Sequence, residues 1–140
     1  MGYSDQKYYA RPFVKVAGAI AFGTSTGAGT ASNSLAQPAA SQLPSFLRRT
    51  AVTGLKAIAV TAPNANATPL ALTIYNGTAV LGTISCAGTI GQVFTGVVTA
   101  ANSTFTAGGQ PTMGLIGTFT ASGGTSGTWD LYFEQEELPA

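Results

Sequence analysis

From Ala57 to Trp129, more than half of this 140-residue chain, there is no Asp, Glu, Lys, Arg or His. The run is built from Thr, Ala, Gly, Val, Ile, Leu and Phe and is cut at short intervals by Gly, Asn and Pro. That pattern reads as short β-strands joined by turns. All charge lies outside it. Six basic residues stand against the single Asp5 up to Lys56, a balance of +5, and from Asp130 onward the balance is −4. Such asymmetry can orient the protein on a charged partner, or let its own ends meet within one chain or between subunits.

Charged residues make up 8% of the chain, against about 25% in ordinary soluble domains. Solubility then rests on hydroxyls and amides, and a weakly charged surface associates readily, so the composition points to life in an assembly. The length suits one domain with a sizeable core, spanning 1–140. Cys86 is alone in an apolar run and reads as a small buried hydrophobe. The net charge of +1 draws the protein to no nucleic acid. No signal peptide or membrane span is expected. Met1–Arg11 is polar and aromatic, and the apolar stretch Phe13–Gly23 is too short for a bilayer. The sequons at Asn66, Asn76 and Asn102 are what chance yields in a chain this rich in Thr and Asn.

In chain order, residues 1–12 form an arm in which Tyr3, Tyr8 and Tyr9 stand beside Lys7 and Arg11. Rings with basic neighbours suit an interface. Phe13–Phe22 alternates and reads as a strand with Val14, Val16 and Ile20 on its buried face. Gly23–Ser34 is a loop that lacks the Gly-Lys-Ser/Thr ending of a phosphate cradle. Leu35–Arg49, broken by Pro38 and Pro44, belongs on the surface. A short helix through Gln42 and a turn at Ser45–Arg49 fit there. Phe46 and Leu47 then anchor either the core or a partner, and Arg48 and Arg49 serve two separate contacts.

Further strands are expected at Ala51–Ala62, around Leu70–Ile74, at Val80–Cys86, as one strand over Thr89–Ala100 covered on both faces, at Met113–Ala121 and at Thr128–Glu134. Asn76-Gly77 marks a tight hairpin, Gly82 a bulge, and Pro63–Pro69 and Asn102–Thr112 loops. Trp129, Leu131 and Phe133 share the buried face of the last strand. Residues 135–140 form an acidic tail. The whole is an all-β, single-domain β-sandwich of jelly-roll or related topology with arms at both ends.

The residues offer little chemistry. The lack of histidine removes Ser-His-Asp and Cys-His catalysis and most zinc sites. Asp130 and Glu134 stand roughly 13 Å apart along a strand, too far for a glycosidase pair. Glu134, Glu136 and Glu137 lack the further ligands of a calcium site. The basic total gives only weak, salt-sensitive nucleic-acid contact.

Lys7-Tyr-Tyr-Ala-Arg-Pro-Phe-Val14 and Trp129-Asp-Leu-Tyr-Phe-Glu134, set in a small Thr/Ala/Gly-rich sandwich with terminal arms, resemble the cement or decoration proteins of phage capsids. The sequence resembles in particular the jelly-roll kind carried on the head of a short-tailed Bordetella phage, and the resemblance runs the full length. The resemblance implies a virion protein on the exterior of an icosahedral capsid that bridges neighbouring capsomers and stabilises the head. Its partner would be the major capsid protein, and it would form a homodimer or other symmetric homo-oligomer. No enzyme activity, cofactor, metal, nucleic acid, membrane or small-molecule substrate is implied. On that reading Tyr3, Lys7, Tyr8, Tyr9, Arg11, Phe13, Arg48 and Arg49 contact the shell, and Tyr132 and Glu134 serve the core or an oligomer contact. The alternatives are a receptor- or carbohydrate-binding module of a phage fibre, using Trp129 and the tyrosines, and a pilus or surface-layer subunit that exchanges a terminal strand.

Overall fold

A computed structural model describes residues 12–21, 43–63, 65–86, 90–124 and 127–140. With so few charges, most backbone N–H and C=O groups must find one another, and strand pairing does this. The described residues form β1 (Val14–Ala21), β2 (Thr50–Thr61), β3 (Ala67–Asn76), β4 (Ala79–Ser85), β5 (Val93–Thr95), β6 (Val97–Val98), β7 (Thr104–Phe105), β8 (Pro111–Phe119) and β9 (Thr128–Glu137). One sheet runs β1-β9-β2-β5, with β7 also on β2, and the other runs β6-β4-β3-β8. Every pairing is antiparallel. The fold is an all-β sandwich.

β9 lies between β1 and β2, and β3 lies between β4 and β8.

Between the sheets lies one core. Val52, Leu55, Ala57, Trp129, Leu131 and Phe133 enter it from the first sheet, and Leu72, Ile74, Leu81, Ile84 and Met113 from the second. Phe46 and Phe105 close one end, with ring centroids 4.9 Å apart. Trp129 packs on Phe94 at 5.9 Å. Each large side chain buried this way stabilises the fold by about 1.5–3 kcal/mol.

Bulges, which period-two reasoning cannot see, re-phase several strands. In β2 the register shifts between Val52 and Gly54, so Val52 is buried on the same side as Leu55, Ala57 and Ala59. Simple alternation separates them. In β1 two shifts lie between Lys15 and Ile20. Ala17, opposite Leu131, thereby joins Ile20, opposite Trp129, on the inward face, while Val14, although opposite Phe133, is 48% exposed. The extra residue of β4 falls at Leu81, since Ile74 pairs with Gly82 and Tyr75 with Val80. The bulge is therefore one residue before the expected Gly82.

Other boundaries also move. β3 begins at Ala67 and contains Pro69 beside a register shift. A proline tolerates this position because the bulge relieves it of a ladder hydrogen bond. The β3–β4 hairpin forms as expected, but Asn76 pairs with Ala79, so the loop is Gly77-Thr78. Gly77 takes the left-handed φ of +62°. Asn76 instead donates its side-chain amide to the carbonyls of Asn102 and Thr104. The expected single strand over Thr89–Ala100 is two short ones in different sheets, broken at Gly96. It is not covered on both faces, because Val93 and Val97 are 52% and 78% exposed. The expected loop Asn102–Thr112 contains β7 and the start of β8. The acidic tail is partly strand, since β9 continues to Glu137.

Gly82 shows how tightly the two sheets meet. A Cβ at that position would lie 2.5 Å from both Leu55 Cδ1 and the Val97 carbonyl oxygen. The side chain can yield but the β6 backbone cannot without losing its pairing. Gly82→Ala should therefore lower stability by about 1–3 kcal/mol, read as an earlier urea midpoint at unchanged slope.

Candidate functional site

The candidate residues that the structure describes fall on two adjoining surfaces. Tyr3, Lys7, Tyr8, Tyr9 and Arg11 lie outside the described residues, as does the expected turn of helix through Gln42.

Phe13, Tyr132 and Glu134 come together on the outward face of the first sheet. Strand alternation puts Trp129, Leu131 and Phe133 inward and Asp130, Tyr132 and Glu134 outward. In register, Tyr132 stands between Lys15 of β1 and Lys56 of β2. Lys15 pairs with Asp130 at 3.2 Å. Glu134 accepts a hydrogen bond from the Thr53 hydroxyl at 2.8 Å. The Lys56 ammonium lies 4.3 Å from the centroid of the Phe13 ring, a cation–π contact. Gly54 makes room for that ring, since a Cβ there would approach Phe13 Cζ to 2.8 Å. The charges on this face thus belong to contacts within the sheet.

Arg48 and Arg49 sit at the end of the sandwich, where the connection into β2 meets the end of β9. The bend before them is pinned from within. Phe46 is buried against Phe105 and Phe133. Its N–H donates to the Gly109 carbonyl at 2.9 Å, and its carbonyl accepts from Gly108 N–H at 2.7 Å. Leu43 is buried, and its carbonyl accepts from the Gln110 side-chain amide. With Phe46 turned in, Leu47 turns out and is 92% exposed. Of the two expected anchors, one holds the core and the other stands in solvent.

The two arginines make two contacts, as their adjacency suggests. Arg48 Nη1 lies 2.7 Å from Glu137 Oε1, and this charged hydrogen bond raises the guanidinium pKa further above its ordinary value. Arg49 donates to the Pro139 carbonyl at 3.2 Å, while Leu138 N–H returns a bond to the Arg49 carbonyl at 2.8 Å. The basic and acidic regions therefore meet within one chain. Leu47, Arg48 and Glu137 form a ridge between two grooves. One, about 420 Å³, is bordered by Val14, Val16 and Phe46. The other, about 650 Å³, is bordered by Ala107, Leu138 and Pro139. Val14 and Lys15 of β1 join this end to the Tyr132 face. The part played by Ala107, Leu138 and Pro139 has no local signal in the sequence. Only the opposed charges of the two halves anticipate the closure.

Cys86 is buried, and burial raises its thiol pKa to about 12 against an ordinary value of 9.0. The Sγ donates to the Ile84 carbonyl at 3.5 Å. The folded state thus holds the proton that the unfolded chain gives up first. The resulting stabilisation is whole below about pH 9 and is lost as pH rises toward about 12. Cys86→Ala should fall less steeply in stability over that window than the unchanged chain. At pH 8 a disulfide reagent should titrate the thiol only after denaturation.

No family model, curated protein or solved structure matches the chain.

Proposed function

We propose that this chain is a structural virion protein that binds the outside of an icosahedral phage capsid and bridges neighbouring capsomers. The observation that carries the reading is the Leu47–Arg49 ridge. It sets a leucine that is 92% exposed, fixed by a buried neighbour, beside two arginines at the margin of two grooves, and arginine is enriched where binding energy is concentrated. It stands where charge is concentrated, on a body whose longest stretch has none. The likeness of Lys7–Val14 and Trp129–Glu134 to capsid cement proteins supports the same role. An antiparallel jelly-roll sandwich suits a clamp that must resist separation of capsomers under internal pressure. Each contact need bury only about 1,600 Å² or less, because many clamps on one shell, each engaging two capsomers, add avidity.

On this reading the ridge and the residue 1–12 arm meet the major capsid protein, and the Tyr132–Glu134 face serves a contact between copies. Trp129 counts against the carbohydrate-binding alternative. It is the chain's sole tryptophan, is 2% exposed and packs on Phe94, so it offers no face to a sugar.

Purified protein should sediment with intact heads of the virus that encodes it, saturate at a fixed stoichiometry and make the heads more resistant to heat. Leu47→Asp, and Arg48→Ala with Arg49→Ala, should lower occupancy while the free variants melt as the unchanged chain does. Binding to host cells or glycans with no uptake by heads would transfer the protein to the fibre class. Unchanged occupancy in both variants would remove the ridge from the site.

A further inference from the structure

The groove beside Arg49 carries a charge that no carboxylate among the described residues answers. Glu137, the carboxylate in its wall, is taken by Arg48 at 2.7 Å. Among the described residues the Arg49 guanidinium donates one bond, at 3.2 Å, to the Pro139 carbonyl. Among the described residues no carboxylate pairs with it. A guanidinium has five N–H donors in a planar fork that matches a carboxylate, so most of its capacity remains. The groove around it is apolar, with Leu47 on one wall and Ala107, Leu138 and Pro139 on the others. Both walls are held in place before any partner arrives. Phe46 and its two backbone bonds fix the first, and the Leu138 N–H bond to Arg49 fixes the second. Binding there therefore loses little to ordering.

We infer that this groove receives an extended protein segment in which an apolar side chain lies close to an Asp or Glu. The apolar group seats against Leu47 and Leu138, and the carboxylate meets Arg49. The inference deepens the capsid reading and rests on it for the source of the segment, a loop or terminus of the shell protein. The chemistry selects against other partners. A basic segment is repelled by Arg49. A nucleic-acid backbone satisfies Arg49 but leaves Leu47 and Leu138 in water. A neutral apolar segment leaves the guanidinium without its carboxylate.

The test uses the full chain labelled with ¹⁵N and a capped hexapeptide with Leu two residues from Asp, alongside its Asn counterpart. The Asp peptide should shift the amides of Leu47, Arg49, Ala107 and Leu138 and leave the Tyr132 face unmoved. Exchanging Asp for Asn should weaken binding about fivefold. Arg49→Gln should show the same loss with the Asp peptide and no further loss with the Asn peptide. Leu47→Ser should abolish binding of both, with the rest of its spectrum unchanged as proof of folding. Equal binding of the two peptides, shifts centred elsewhere, or no shift at about 5 mM peptide would overturn the inference. Comparison with heads separates the two proposals. Peptide binding without uptake by heads keeps the groove and removes the capsid role. Equal uptake of the unchanged chain and Arg49→Gln, with no peptide binding, does the reverse.

Discussion

The fold depends on β9 being paired on both edges. It takes β1 along one side and β2 along the other, and from that central position it sends Trp129, Leu131 and Phe133 into the core. β1 comes first in chain order among the described strands and β9 last. β2 also pairs with β5 and β7, but β1 cannot find its place until the end of the chain is present. Without β9, β1 would have no neighbour in the sheet among the described strands. Contacts this distant in sequence carry a loop-closure cost that must be met before they stabilise anything. The joining of β1 to the first sheet should therefore come late.

The same pairing builds the candidate site. Because β2 and β9 run antiparallel in register from Thr50↔Glu137, the residues just before β2 must lie beside those just after β9. Arg48 then meets Glu137, and Arg49 meets Pro139. The ion pair is exposed and adds little to stability. Its consequence is local geometry: it occupies Glu137, forms the wall between two grooves and leaves Arg49 without a carboxylate among the described residues. Phe46 does the complementary work from inside. By filling the end of the core against Phe105 and Phe133, it compels the next residue outward. The exposure of Leu47 follows from the burial of Phe46.

The two surfaces differ in what they can offer a partner. On the Tyr132 face Lys15, Asp130, Lys56 and Glu134 are engaged with neighbours in the sheet, so a partner gains chiefly from area and ring contact. At the ridge a leucine and a guanidinium remain available. That contrast makes the ridge the stronger candidate for binding a different protein, and the flatter face the more suitable for a second copy.

Much of the architecture was legible in the residue order. The uncharged run with frequent turn residues meant strands, Asn76-Gly77 marked the hairpin, and Trp129-Asp-Leu-Tyr-Phe-Glu showed which face of the last strand is buried. Those signals are local, since they depend on period two and on turn chemistry. The opposed charges of the two halves also hinted that the ends meet. Only the tertiary structure decided where alternation fails. The bulges in β1, β2 and β4 depend on partner strands, and so does the split of Val93–Val98 between two sheets at Gly96. It alone decided that Phe46 goes in and Leu47 goes out. That choice belongs to Phe105 and Phe133, which are more than fifty residues away in the chain, and nothing local to two adjacent hydrophobic residues distinguishes them.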